Sequence, residues 1–414
     1  MRGWIAYPVA LLIALCCRSD AAGWSNTALL HEFGGGGADG SYALGNVEVN
    51  GSVVYGMTVQ GGDYNRGTVF SVHEGSGAFA LLHEFFGGIS DGAQPYGSLT
   101  RLGSTFYGTT FGGGNFNHGT VFSMQTNGGG FTLLHEFLGG LGDGAAPTGN
   151  LTPGGSTLYG TTTTGGLYDA GTIFAVGTNG SNHRLLHHFA GGTSDGGTPR
   201  GSLLLDGSTL YGMTSEGGAN GGGTVFAVST GGGGYRLLHE FAGGPDDGAE
   251  PIYGALALSG SNLYGMTSGG GDYGLGTIFS IATDGSDFTL MHEFTGGADD
   301  GAVPKGGLLL DRATSTFYGL TEHGGDDDFG TLFSIEMDGS NFTLMHDFAG
   351  GPDDGAYPAG DVRLSNDRLY GMTRAGGDFD RGTVFSAPTP EPTTLGLLLV
   401  AALTAIGYAR LRRR

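Results

Sequence analysis

The chain has 414 residues, of which 89 are Gly and 13 are Pro, with 17 basic against 39 acidic side chains and a formal net charge of −22. Glycine at this density costs roughly 1 kcal/mol per helical position, which argues against long helices. The negative charge argues against nucleic acid and anionic membrane surfaces as partners of the body. Both cysteines, Cys16 and Cys17, precede that body, so disulfides and thiolate chemistry are not expected in it.

Residues 1–21 read as a secretory signal peptide. Arg2 supplies the positive start, Trp4 to Cys17 the apolar run, and Ser19-Asp-Ala21 a small-residue site for signal peptidase. Without the terminal segments the body keeps 11 basic and 37 acidic residues, a net of −26. From residue 22 to 386 a single phrase recurs. Its Tyr-Gly step falls at Tyr55, Tyr107, Tyr159, Tyr211, Tyr264, Tyr318 and Tyr370, a spacing of 52 to 54 residues. A fixed period of this length is the mark of a repeat architecture.

Each copy contains four strand-like runs. In the fourth copy they lie around 201–205, 209–214, 223–228 and 235–241, rich in β-branched and aromatic residues and bounded by Gly, Asn and Asp. Asn127-Gly128, Asn179-Gly180, Asp284-Gly285 and Asp338-Gly339 mark the hairpin between the third and fourth runs, because both central residues of such a turn must accept positive φ. Four short antiparallel strands per repeat predict an all-β chain folded as a seven-bladed β-propeller. The array opens on a fourth-type strand, Leu29 to Phe33, and closes on a third-type strand, Gly382 to Phe385. The N-terminal strand can therefore complete the last blade, sealing the ring and removing a sheet edge.

Strand alternation puts the loop between strands two and three on the same face as the linker to the next blade. The linker mostly reads Phe-x-Gly-Gly-x-x-Asp-Gly-Ala-x-Pro, and the last three linkers double the acid as Asp246-Asp247, Asp299-Asp300 and Asp353-Asp354. Two readings are open. Clustered carboxylates suit Ca²⁺ or another hard cation, whereas Asp-Gly is also ordinary turn chemistry, and sevenfold repetition favours the latter. The other loop carries an aromatic in five copies: Tyr64, Phe116, Tyr168, Tyr273 and Phe379, preceded by Asp63, Asp272 and Asp378 in three of them. Rings beside carboxylates suit a polysaccharide, whose apolar sugar faces stack while hydroxyls donate to Asp. The competing reading is that the rings cover blade seams. The His of Leu-Leu/Met-His reads as structural, because His239 and Glu240 point to opposite faces of a strand and cannot converge on one ion. No catalytic motif is present in the sequence. A polysaccharide hydrolase or lyase in the central channel would need residues unique to one blade, for which Arg66, His118, Glu216, Glu322, His323 and Arg374 are the raw material.

Residues 387–392 form a Pro-rich linker, and 393–414 a sorting segment: an apolar run from Thr393 to Ala409, at the short end of a bilayer span, followed by Arg410, Arg412, Arg413 and Arg414. The order Pro390-Glu391-Pro392, apolar helix, arginine cluster is similar to the PEP-CTERM sorting signal. That resemblance implies export, transient membrane anchoring and cleavage by an exosortase-type enzyme; a permanent single-span anchor is the alternative. The repeats, through Leu-Tyr-Gly-x-Thr, Gly-Gly and Gly-Thr-Val-Phe, resemble the GloVer tandem-repeat family of secreted bacterial proteins. The resemblance implies architecture and surface location, and brings no catalytic residues. The expectation is a cell-surface or extracellular-matrix protein that binds polysaccharide or another surface component without catalysis. The alternatives are a polysaccharide-degrading enzyme on the same scaffold and a purely structural surface protein.

Overall fold

The computed structural model describes residues 27–390, and the signal segment, Glu391, Pro392 and the apolar tail with its arginines lie outside them. Within them the chain forms seven antiparallel blades of four strands, ordered from the inside outward as strands one to four, and in the last blade the linker strand Gly355–Pro358 joins the sheet as a fifth. In the fourth blade these are Leu204–Asp206, Thr209–Thr214, Thr224–Ser229 and Arg236–Glu240. The second strand matches its sequence-based bounds. The first is shorter and begins later, because the expected Gly201-Ser202-Leu203 stretch runs along the channel without a ladder partner. Among the described residues no helix is long and apolar enough to cross a membrane.

The second and third strands are sandwiched between neighbouring blades and are buried on both faces. Leu210, Val225, Phe226 and Val228 are fully enclosed, while Thr209 and Arg236 face outward. The Gly of each Tyr-Gly step makes room for the Phe of Gly-Thr-Val-Phe: a Cβ on Gly212 would stand 2.5 Å from the Phe226 ring. The Gly that opens the third strand has a second reason. Gly223 has φ +91, and a Cβ there would meet the Thr214 carbonyl at 2.2 Å.

The blades are joined by one aromatic contact repeated at every seam. The Phe that ends strand four meets the Phe of the next blade's third strand edge to face, as in Phe85–Phe122 at 5.5 Å and Phe241–Phe279 at 5.3 Å. The ring closes as the sequence phasing predicts. Ala28–Glu32 pairs antiparallel with the strand Thr383–Pro388 of the last blade, and Phe33 then meets Phe70 of the first blade at 5.2 Å. The core is thus a set of like clusters around the ring, one per seam; the one containing Phe33, Phe70, Tyr370 and Val384 spans the point of closure.

Candidate functional site

One face of the propeller is built from the linkers and the loops between strands two and three. Short two-residue pairings tie them together, such as Gly196–Gly197 with Glu216–Gly217. The linker is anchored by its aspartate. His239 Nε2 lies 2.9 Å from Asp247, which also accepts the N–H of Ala242 and of Gly248, at 2.8 and 2.7 Å. The same arrangement recurs from His31–Asp39 to His346–Asp354. The neighbouring acid of Leu-Leu-His-Glu anchors the other loop: Glu240 accepts the N–H of Ala219, and Glu293 that of Asp272. Adjacent residues on one strand thus fix two different loops, because alternation sends them to opposite sides of the blade.

Two residues beyond the Asp-Gly glycine-bearing turn, every linker holds a non-glycine residue in the left-handed region: Tyr42, Gln94, Ala146, Thr198, Glu250, Val303 and Tyr357, with φ of 54 to 62°. This conformation is disfavoured for L-residues, and it lets the position bond in two directions. Val303 donates its N–H to Leu275 of the preceding blade, and its carbonyl accepts the N–H of Glu322 in its own.

The expected site residues fall on this face. Tyr64, Phe116, Tyr168, Tyr273 and Phe379 stand at the tips of their loops with 55 to 63% of their surface exposed. Asp63, Asp272 and Asp378 are exposed beside them. The rings stand one per blade and do not stack on one another among the described residues; Tyr64 instead lies 6.0 Å from Phe86 of the adjoining linker. Phe329, where copy six shifts its ring, is the exception: it packs on Tyr357 at 5.4 Å and joins the core. Leu138, Leu141, Leu167, Phe86 and Ile89 extend the exposed apolar surface over the first three blades. Asp246, Asp299 and Asp353 make the later linkers acidic and exposed. Their partners Asp247, Asp300 and Asp354 are engaged by His rings and backbone N–H groups, and among the described residues the paired acids do not complete a three-ligand metal cluster.

The unique charged residues do not occupy the channel. Arg66, His118, Glu216, Glu322, His323 and Arg374 lie outside the lining of its chamber, a cavity of about 460 Å³. Three of them meet instead between blades six and seven. Glu322 is 3% exposed and is held by Lys305 and by Arg374, whose Nη1 stands 2.8 Å away as an ion contact off the hydrogen-bonding angle. Arg374 in turn lies over Tyr357 at 5.0 Å and Tyr42 at 5.6 Å. His323 sits 3.8 Å from Glu322 and 3.4 Å from Asp328. The carboxylate of Glu322 is neutralised by two cations, so this cluster is a clamp across the seam.

The channel has its own order. Backbone N–H groups donate around it to the next blade's side chain: Ser98 to Asn150 at 2.6 Å, Asn150 to Ser202 at 2.9 Å, Gly307 to Asp361 at 2.5 Å and Asp361 to Asn46 at 2.6 Å. Burial lifts the Asp361 carboxyl above its usual range, although the Gly307 N–H, the Asn46 amide and Arg363 all oppose the rise. Glu48 bridges Arg101 at 3.2 Å and Arg363 at 3.4 Å, joining blades one, two and seven. The facing wall, with Ala255, Leu308 and Leu309, is apolar.

The model of the Gloeobacter/Verrucomicrobia repeat matches residues 18–166, 140–314 and 300–402. The chain belongs to this repeat family. No curated protein matches it significantly. Among solved structures, the repeat protein is similar to an oligogalacturonate lyase in complex with manganese, at 11% identity and a TM-score of 0.56 over 86% of this chain and 90% of that one. An oligogalacturonate lyase from Vibrio parahaemolyticus gives 11% and 0.51 over 88% and 94%. A puromycin-hydrolyzing peptidase from Mycobacterium tuberculosis gives 14% and 0.52 over 87% of this chain and 55% of that one. At these identities the likeness is one of fold.

The sequence of this Gloeobacter/Verrucomicrobia repeat protein did contain signs of what was missed. Asn46, Ser98, Asn150, Ser202 and Asp361 occupy one repeat position, a polar side chain just after a Gly. Their interruption by Ala255 and Gly307 in two successive copies hides the run of bonds, which appears only when neighbouring blades are placed side by side.

Proposed function

We propose that this chain is an exported surface or matrix protein whose loop face binds polysaccharide without turning it over. The observation that carries the reading is the set of five loop-tip aromatics with more than half their surface exposed. A ring serving only to seal a seam has no reason to remain in water, whereas a sugar face can cover it. Asp63, Asp272 and Asp378 stand next to three of these rings as hydroxyl acceptors. The apolar first half of the face favours stacking, and the acidic second half disfavours polyanions. Export is supported by residues 1–21 and by the Pro390-Glu391-Pro392, apolar run and arginine order at the other end, which would make signal peptidase and an exosortase-type enzyme its processing partners.

The test is a retention assay on neutral and acidic polysaccharides using residues 22–388. Replacing Tyr64, Tyr168 and Tyr273 together by Ala should weaken retention at least tenfold and leave the unfolding midpoint within a degree or two, because removing exposed side chains costs little stability. Unchanged retention would remove these rings from the site. Release of new reducing ends would replace the binding reading with a degradative one. Loss of retention with chelator that Ca²⁺ restores and Zn²⁺ does not would assign the exposed linker aspartates to Ca²⁺.

A further inference from the structure

At six of the seven seams the His of the His–Asp pair is covered by a residue with neither imidazole nor carboxylate. His31, His83, His239 and His292 stack on Phe79, Phe131, Phe288 and Phe342, and His187 on Tyr235, at 3.8 to 4.1 Å. His346 meets Thr27, with 3.0 Å between its Nδ1 and the hydroxyl. At the remaining seam, between the second and third blades, the covering residue is His183, stacked on His135 at 3.6 Å and 12°. The position is filled by Phe at four seams, while Tyr235 adds a hydroxyl bonded to Asp195 and Thr27 a hydroxyl to His346; only at this seam does it carry an imidazole.

Three observations give that departure a chemistry. The Nε2 of His183 is buried and has no hydrogen-bond partner. Leaving a polar atom in that state is costly, and packing alone would be served by Phe, as the other seams show. The atom lies 3.7 Å from Asp143 Oδ1, while His135 Nε2 lies 3.1 Å from Asp143 Oδ2. One donor atom from each of the three residues falls within 4.8 Å of the others, and among the described residues this is the one such cluster. A tetrahedral ion with bonds of about 2.1 Å holds its ligands about 3.4 Å apart, a separation inside the 4.8 Å spread of this cluster.

We propose that His135, Asp143 and His183 form a zinc-class metal site that ties blade two to blade three. Two imidazoles and a carboxylate suit a borderline divalent ion better than calcium, and a water can complete the shell. Asp143 is already oriented by the N–H groups of Leu138 and Gly144, at 2.9 and 2.8 Å, which is the outer support such a ligand needs. Binding exchanges the ring stack for coordination: one imidazole turns so that both lone pairs converge, and His135 gives up its Nε2 proton to Nδ1 or to solvent.

The experiment uses the full chain, purified without a histidine tag and stripped with chelator. Zinc chloride is titrated while the thermal midpoint and bound metal are followed, and cobalt(II) is added separately for its visible spectrum. The wild type should bind one equivalent, rise in midpoint with zinc and show the intense bands of tetrahedral cobalt. His183→Phe restores the residue found at four other seams, so it should fold with an equal or higher zinc-free midpoint and bind zinc at least a hundredfold more weakly. Asp143→Asn should lose the cobalt bands as well. A wild type without a zinc-dependent shift, or a His183→Phe chain that shifts equally, would overturn the proposal.

Discussion

The His–Asp contact shows how far a single residue can be read. Alternation along the strand was enough to assign His239 and its equivalents a structural role and to separate them from the adjacent Glu. The partner was not legible, because the aspartate lies eight residues on, across a loop whose path only the folded linker defines. Asp300 makes the energetics testable. Burial alone would raise its carboxyl, but the His292 hydrogen bond and the N–H groups of Thr295 and Gly301 outweigh this and hold it below the usual carboxylate range. A depressed folded-state value means that the contribution to stability is present above the ordinary value near 3.8 and is lost as pH falls through the folded one. Asp300→Asn should therefore lower stability by about 1–3 kcal/mol at pH 7. The deficit should shrink only as pH falls below the ordinary 3.8 and through the lower folded-state value, where the wild-type carboxyl also protonates. Denaturant titrations at pH 7 and in this acid range check this; an equal deficit at both would assign the loss to packing instead of charge.

At the scale of elements, the strands were legible and the linkers were not. Period-two patterning and the Asn-Gly and Asp-Gly turns placed the second and third strands within a residue. The linker carried Gly, Asp and Pro that announce a turn, but its strained position is filled by Tyr, Gln, Ala, Thr, Glu or Val, none of which signals a left-handed backbone. The conformation is imposed by the two backbone bonds at that point, so tertiary demand overrides local preference. Val303 is the sharpest case, since a β-branched residue at φ 55° is crowded against its own backbone. Val303→Asn keeps the N–H to Leu275 and the carbonyl to Glu322 while accepting the left-handed region. It should stabilise the protein by about 1 kcal/mol, read as a rise in the unfolding midpoint. A fall would mean that the valine side chain contributes more by packing than its backbone costs.

For the whole molecule, the period and the offset of its ends contained the ring, because closure needs only that an orphan fourth strand and an orphan third strand exist. What the sequence concealed were departures from sevenfold symmetry that matter by proximity: Glu322 between Lys305 and Arg374, Glu48 between two arginines, and His183 over His135. Each was visible as an irregular letter, but its partner lay in another repeat. The closure itself can be measured against an interior seam. Phe33 meets Phe70 where the chain's two ends join, and Phe137 meets Phe174 at 5.1 Å between the second and third blades. Both phenylalanines are 1% exposed. In a sealed ring every seam must open together, so Phe33→Ala and Phe137→Ala should each cost about 3–5 kcal/mol and by similar amounts. In an open array the terminal strand would fray first, and Phe33→Ala would cost little while Phe137→Ala kept its full effect. Equal losses in paired denaturation curves would establish that Ala28–Glu32 is the seventh blade's working outer strand, and that the propeller is stable only as a closed circle.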